Sequence, residues 1–318
     1  MIRPVLIAEC CQNHNGSTEI LKRMIHAAAE NGADYVKIQA IRSRELTHRE
    51  RFDQGLTRNG KVEVITRPYQ PELERLAKLD LSLDTERWFV EECWKAGVAP
   101  LTTAFTRSAA REIKDLGYEA IKVASYDCAS YPLLRELRKY WNTLFVSTGA
   151  TYDEEIEQAA SVLHGSNYMF LHCVTMYPTP LDELHLRRMS YLRRFTAQVG
   201  YSDHSKIETT GLWASKIALA LGADCIERHF TILGPTETKD GPVSINPAQL
   251  NELRTFADMS RPDRMKLLQD QYPDWTRSLG MARRPLSDAE LLNRDYYRGR
   301  FASRVGDSFV YNWEDTAI

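Results

Sequence analysis

Residues 197–230 read A-Q-V-G-Y-S-D-H-S-K-I-E-T-T-G-L-W-A-S-K-I-A-L-A-L-G-A-D-C-I-E-R-H-F, and this stretch decides the fold. Apolar runs at 197–201 and 224–229 have strand length. Between them, 209–221 is apolar over helical length and stops at Gly222, where a helix terminus uses the left-handed backbone. Strand, helix and strand at this spacing make a parallel βαβ unit. Both strands finish in polar groups: Ser202, Asp203 and His204 follow the first, and Glu227 and His229 close the second.

The same alternation extends over most of the chain. Further apolar runs stand at 5–9, 35–39, 100–105, 120–123, 143–147 and 168–172, with helical patterns between them. Ile20, Leu21, Met24, Ile25 and Ala28 form one apolar stripe ahead of Gly32, and Asp153, Glu154 and Glu155 crowd a helix start, as the helix dipole favours. Eight such units predict an α/β fold of the closed (β/α)8 TIM-barrel type, with a short C-terminal extension. The domains expected are a catalytic barrel over 1–261 and an extension over 262–318 that is not an independent domain. Residues 41–81 are polar and arginine-rich, with Leu73, Leu76 and Leu79 at helical spacing. They read as an inserted loop and helix over the barrel mouth.

The 318 residues are 43% apolar and 26% charged, with a net charge of −2 from 41 basic and 43 acidic side chains. Neither sign collects in a tail, which argues against nucleic acid as a partner. No stretch approaches the roughly 20 apolar residues of a membrane span, and no secretory leader is recognisable, so a cytoplasmic protein is expected. The six cysteines (Cys10, Cys11, Cys93, Cys128, Cys173 and Cys225) form no C-x-x-C pair. They read as reduced thiols that pack as small hydrophobes, with no support for zinc ligation by cysteine.

In a barrel of this type the active site is built where the strands end. Ionisable and hydroxyl groups stand at almost every one of these ends: Glu9, Asn13 and His14; Lys37 and Gln39; Thr102 and Thr103; Lys122 and Ser125; Ser147 and Thr148; His172 and Tyr177. Stability alone does not require this. His204 and His229 follow consecutive strands, so their imidazoles are candidates to share one divalent cation. Lys37, Lys122, Ser147 and Ser202 supply donors of the kind that hold phosphate, and Ser147-Thr148-Gly149-Ala150 precedes a helix, a natural anion site. Glu9 and Asp127 are candidates for proton transfer or water positioning.

These motifs together resemble the sialic acid synthase family. The matching segments are I-A-E-C-C-Q-N-H-N-G-S (7–17), G-A-D-Y-V-K-I-Q (32–39), L-T-T-A-F (101–105) and I-K-V-A-S (121–125). They continue with S-T-G (147–149), L-H-C-V-T-M-Y-P-T-P (171–180), G-Y-S-D-H-S (200–205) and I-E-R-H-F-T (226–231). The resemblance implies condensation of phosphoenolpyruvate with an aldose or N-acyl aminosugar aldehyde, plus water, to a 3-deoxy-ulosonic (nonulosonic) acid and phosphate by C–O cleavage. It implies Mn2+, or another divalent cation such as Mg2+ or Co2+, on His204 and His229. Lys37, Thr103, Lys122, Ser125, Ser147, Gly149 and Ser202 would hold phosphoenolpyruvate. Gln39, Thr175 and Tyr177 would line the acceptor side, with Glu9 and Asp127 as catalytic carboxylates. A homodimer is the family's assembly, which leaves the oligomeric state of this chain open.

Four features depart from the family pattern. Asp127 stands where a glutamate is usual, and Thr175 where serine or asparagine is. The family's G-P-D, whose aspartate contacts the acceptor, reads Gly241-Pro242-Val243. The C-terminal antifreeze-like domain is expected to be missing, with a linker-like N-R-D-Y-Y-R (293–298) in its place. All four lie on the acceptor or water-handling side, so the donor is specified more firmly than the acceptor. Two other readings remain open on these residues: a metal-dependent lyase or hydrolase of a phosphorylated substrate, and a non-catalytic relative that binds phosphoenolpyruvate or a sugar.

Overall fold

In the computed structural model, which describes residues 3–318, the eight apolar runs become eight parallel strands. They are β1 (Val5–Cys11), β2 (Tyr35–Ala40), β3 (Ala99–Ala104), β4 (Ala120–Val123), β5 (Thr143–Ser147), β6 (Asn167–His172), β7 (Val199–Asp203) and β8 (Cys225–His229). The strands follow one another around a closed barrel, and β1 pairs with both β2 and β8. A helix follows each strand: α1 (Thr18–Glu30), α2 (Leu83–Lys95), α3 (Arg107–Ile113), α4 (Tyr131–Tyr140), α5 (Asp153–Leu163), α6 (Arg188–Leu192), α7 (Trp213–Ala220) and α8 (Pro247–Asp258). This is the (β/α)8 barrel that the sequence predicts.

Strand alternation divides each strand between two environments. Outward residues such as Leu6, Val36, Ile121, Phe170 and Ile226 pack beneath the helices. The α1 stripe of Leu21, Met24, Ile25 and Ala28 is buried there, behind an N-terminus capped by the Ser17 hydroxyl. Inward residues Ile7, Leu101, Ala120, Phe145, Met169, Leu171 and Cys225 form an apolar plug inside the barrel. Each contributes up to roughly 1.5–3 kcal/mol when large and fully buried. Two residues further along most strands the inward positions become polar, and the register sets them level. Glu9 pairs with Lys37 on one side and His229 on the other. Thr103 pairs with Lys122, and Glu227 with Ser202.

Two strand limits differ from expectation. β7 is Val199–Asp203, two residues later than 197–201, because the Ala197 carbonyl is taken by the Arg193 side chain instead. β1 continues past Glu9 through a register shift between Glu9 and Cys11, and Cys11 has φ +49°. The insertion holds the expected helix, Tyr69–Ala77, and also an unforeseen hairpin of Leu56–Arg58 with Lys61–Val64. Its signal was legible: Asn59-Gly60 supplies the two consecutive positive-φ residues that a tight hairpin turn requires.

The insertion and the C-terminal segment are joined to each other. Leu46 bridges to Phe301, the Thr47 N–H donates to the Arg300 carbonyl at 3.0 Å, and the Ala302 N–H donates to Glu45 at 3.1 Å. Helix α9 (Arg261–Gln271) places Arg264 on the Leu219 carbonyl at 2.9 Å and Arg261 on Leu221 at 3.0 Å, satisfying carbonyls at the end of α7. Helix α10 (Asp288–Tyr297) and a hairpin of Ser303–Val305 with Ser308–Val310 complete the chain's ordered elements. Among the described residues no helix is long and apolar enough to cross a membrane.

Candidate active site

The polar layer above the apolar plug brings two buried lysines and two buried carboxylates together. The Lys37 ammonium donates to Glu9 and, at 3.0 Å, to the Thr103 hydroxyl. The Lys122 ammonium donates to the Ser147 hydroxyl at 2.6 Å and to the Val123 carbonyl at 3.0 Å. Glu227 stands between them, 3.7 Å from Lys37 and 3.6 Å from Lys122, and accepts from the Ser202 hydroxyl at 2.7 Å. An ammonium has three donors. Each lysine therefore places two donors in these hydrogen bonds and turns its charge toward Glu227 as well.

These contacts set the protonation states. Burial would push Glu227 up, but Lys122 and Lys37, helped by Ser202, outweigh it and hold the carboxyl at about 2. Burial lowers Lys37 to about 8, with Lys122 acting in the same direction and Glu227 opposing. The other Glu9 oxygen accepts the Cys11 N–H at 2.6 Å.

The loop after β5 closes one side of this layer. Gly149 donates its N–H to the Ser125 hydroxyl at 3.2 Å. A Cβ there would lie 2.6 Å from Thr175 and 3.0 Å from both Cys173 and Ser125, so only glycine allows the approach. Ser147, Ser125 and the Gly149 backbone thus line one wall with Lys122.

His204 and His229 do come together, with ring centroids 5.4 Å apart. Burial lowers His204 to about 3 and lowers His229 as well, so both imidazoles are neutral, the form that ligates a metal. The Nδ1 of His204 faces the Val174 carbonyl at 3.4 Å. Its loop is anchored from outside the barrel. Arg228 pairs with Asp203 at 2.5 Å and donates to the Ser205 carbonyl at 2.7 Å, while Asp203 accepts from Ser215 and the Ser205 N–H. The tightest potential ligand group is a different set: Cys11, His229 and Asp240 offer donor atoms all within 4.8 Å of one another. The Nδ1 of His229 is buried without a hydrogen-bond partner. These neutral nitrogen, carboxylate and sulfur donors fit a divalent cation.

One expectation is corrected here. Cys11 does not merely pack among apolar groups; its sulfur lies 2.9 Å from an Asp240 oxygen. A carboxylate, Asp240, stands immediately ahead of Gly241-Pro242-Val243, whereas Val243 is buried. The loop is folded tightly enough that a Cβ on Gly241 would meet the Pro235 carbonyl oxygen at 2.3 Å.

The acceptor-side residues are held differently. Asp127 accepts from Ser130 at 2.9 Å and from the Asn312 amide at 2.9 Å. Burial raises its carboxyl to about 6, with Asn312 and Ser130 opposing. The Thr175 carbonyl accepts from Asn293 at 2.7 Å, and its hydroxyl is buried without a partner. Tyr126, beside Asp127, stacks on Tyr297 at 5.0 Å. Tyr177 is 48% exposed and packs against the His204 ring at 4.2 Å, and Gln39 lies in register with Thr103. His172 leaves the site altogether: it points outward and bonds the Leu184 carbonyl at 2.6 Å.

Sequence reasoning gave no role to Glu227, Asp240, Asn293 or Asn312. Glu227 had a signal, the period-two spacing that puts Cys225, Glu227 and His229 on one face of β8. Two surface clefts of about 520 and 530 Å3 lie along the insertion and the C-terminal segment, and neither is lined by the strand-end side chains. Convergence of the buried side chains therefore locates the site.

A family model described as the NeuB family matches residues 24–261. N,N'-diacetyllegionaminic acid synthase of Campylobacter jejuni is 33% identical over 269 residues, covering 80% of this chain and 75% of its own length. Pseudaminic acid synthase of the same species is 27% identical over 303 residues, covering 94% and 81%. The solved N-acetylneuraminic acid synthetase of Leptospira borgpetersenii, in complex with citrate, superposes with a TM-score of 0.69 at 26% identity. That superposition covers 92% of this chain and 90% of the solved one.

Proposed function

The chain belongs to the NeuB family, and from that premise we propose that it is a synthase joining phosphoenolpyruvate to a sugar aldehyde, with water, to give a nonulosonic acid and phosphate. One observation carries the reading. Lys37 and Lys122 are buried at the ends of β2 and β4, on either side of β3, around a carboxylate that stays ionised between them.

Three groups are assigned to the donor. Lys122, Ser147 and Ser125 would hold the phosphate, with the Gly149 backbone N–H fixing the Ser125 hydroxyl. Lys37, Thr103 and Ser202 would hold the carboxylate end. Glu227 keeps both ammonium groups in place at the base of this layer. Fixed cations of this kind stabilise charge as it develops, and they cost no reorganisation during the reaction.

The balance of the reaction follows from the enol phosphate. A C–C bond forms between C3 of phosphoenolpyruvate and the aldehyde carbon, whose oxygen takes a proton. Water adds to C2, and the C2–O bond to phosphate breaks with its electron pair leaving on phosphate. Glu9, fixed by Lys37 and the Cys11 N–H, is the group placed to orient that water. His229 and Asp240, with His204 beside them, would hold a divalent cation, which when bound polarises the aldehyde carbonyl. On the acceptor side, Tyr177, Gln39 and the Thr175 hydroxyl would contact the sugar. Asp127 serves to anchor the rim through Asn312. The relatives named for legionaminic and pseudaminic acids make an N-acyl aminosugar the first acceptor class to try. The six free cysteines suit a reducing, cytoplasmic setting.

The test is to incubate the protein with phosphoenolpyruvate, a divalent cation, and a panel of aldoses and N-acyl aminosugars, following phosphate and 3-deoxy-ulosonate together. Equal yields of both, dependent on the sugar and abolished by a chelator, are expected. Phosphate released without any sugar would make the protein a hydrolase and overturn the proposal.

A further inference from the structure

We infer that Cys11 is a thiolate ligand of the metal site, so that the ion is held by sulfur, imidazole and carboxylate and the site favours a borderline or soft divalent ion such as Zn2+, Fe2+ or Co2+. The inference rests on the metal role given above to His229 and Asp240, and adds a ligand and a metal class.

Three observations support it. Donor atoms of Cys11, His229 and Asp240 lie within 4.8 Å of one another. Ligands bound at about 2.0–2.3 Å from one ion stand at most ~4.6 Å apart, so the set is already near a shared coordination sphere. Second, the His229 side chain is buried, at 8% exposure, and its Nδ1 is left without a partner. A buried nitrogen without a hydrogen bond carries a desolvation cost that a bound ion removes.

Third, the backbone disfavours a side chain at position 11. Cys11 sits at φ +49°, where the register of β1 slips against β2. That left-handed conformation costs a non-glycine residue roughly 1–2 kcal/mol, which glycine would avoid. A cysteine kept here, aimed at Asp240 with the sulfur 2.9 Å from the carboxylate, is explained by use of the sulfur.

Thiolate ligation changes which ion fits. Carboxylate oxygens suit hard ions such as Mn2+ and Mg2+ and imidazole suits borderline ones, whereas sulfur adds strong preference for softer ions. On binding, the thiol proton is exchanged for the ion: the sulfur–metal bond forms from the sulfur lone pair and one proton passes to solvent.

Metal-free, reduced protein titrated with Co2+ under anaerobic conditions tests this directly. A near-ultraviolet thiolate-to-cobalt charge-transfer band is expected, saturating at one ion per chain with release of a proton. Cys11→Ser should abolish the band while circular dichroism stays unchanged. It should also weaken Zn2+ binding at least about tenfold, since even loss of an outer-shell partner costs on the order of 10–100-fold. Mn2+ binding should change far less. Cys11→Gly, which relieves the backbone, provides the same readout should the serine variant fold poorly. A band absent from the wild type, or undiminished in both variants, overturns the inference. Condensation activity without the band would sink this inference alone, whereas the band without condensation would sink only the proposed reaction.

Discussion

The donor wall and the acceptor rim of this barrel are built by different means. Glu9, Lys37, Thr103, Lys122, Ser147, Ser202 and Glu227 lie in the strands themselves, set level by the parallel register and buried above an apolar plug. Asp127 and Thr175 lie in loops and are fixed by Asn312 and Asn293 from the far end of the chain. The wall is thus tied to the stability of the barrel, whereas the rim can change without disturbing it. Such an arrangement lets one donor chemistry be kept while the acceptor varies.

The largest effect should come from the centre of the wall. Glu227→Ala leaves Lys37 and Lys122 buried without their shared carboxylate, and breaking a buried ion pair from one side costs roughly 3–5 kcal/mol. Urea unfolding should show that loss, and condensation should fall below detection. A stable, active Glu227→Ala protein would break the contrast between wall and rim. Next in size is Lys122→Met, which removes the ammonium facing Ser147. Loss of one fixed donor should lower kcat/KM for phosphoenolpyruvate by roughly 10²–10³ while leaving the KM of the sugar nearly unchanged.

The rim should respond in the opposite sense. Asn293→Ala frees the Thr175 carbonyl, and losing one hydrogen bond of about 0.5–1.5 kcal/mol should raise the sugar KM roughly two- to tenfold. The KM of phosphoenolpyruvate should stay constant. A change in the donor's KM instead would show that the two regions are coupled.

How far the sequence carried this picture depends on the same contrast. Alternation within a strand needs no knowledge of distant residues, so the barrel and the positions of Lys37, Lys122, Ser147 and His229 were legible. That Glu227 sits between two lysines became visible only on closure, when β8, β2 and β4 face one interior. Cys11 read as a packing thiol because a slip in register leaves no mark in an apolar run. Asp240 was passed over because its loop's path is set by the contact of Gly241 with Pro235. The Asn312 bond to Asp127 spans 185 residues, beyond the reach of any local pattern.

The last effect is one of pH. Burial raises the Asp127 carboxyl from 3.8 to about 6 in the folded protein. Between these values the folded state keeps a proton that the unfolded chain has released, so wild-type stability falls as pH rises through that window. Asp127→Asn removes the cost. Its advantage over wild type should be absent near pH 3, open between about pH 4 and 6, and level off at roughly 1–2 kcal/mol above that, less than the full ~1.4 kcal/mol per pH unit because the group is partly solvated. Thermal unfolding across pH checks this. An advantage that grows on acidification would mean that Asp127 is held ionised rather than penalised.

The central claim is that the wall binds phosphoenolpyruvate for carbon–carbon bond formation with cleavage of its C–O bond. Phosphoenolpyruvate carrying heavy oxygen in the bridge between C2 and phosphorus tests it most directly, with phosphorus NMR of the released phosphate and mass analysis of the acid. The account predicts that the label leaves with phosphate and that the new acid takes its C2 oxygen from water. Label retained in the organic product would mean cleavage at phosphorus, and would contradict it.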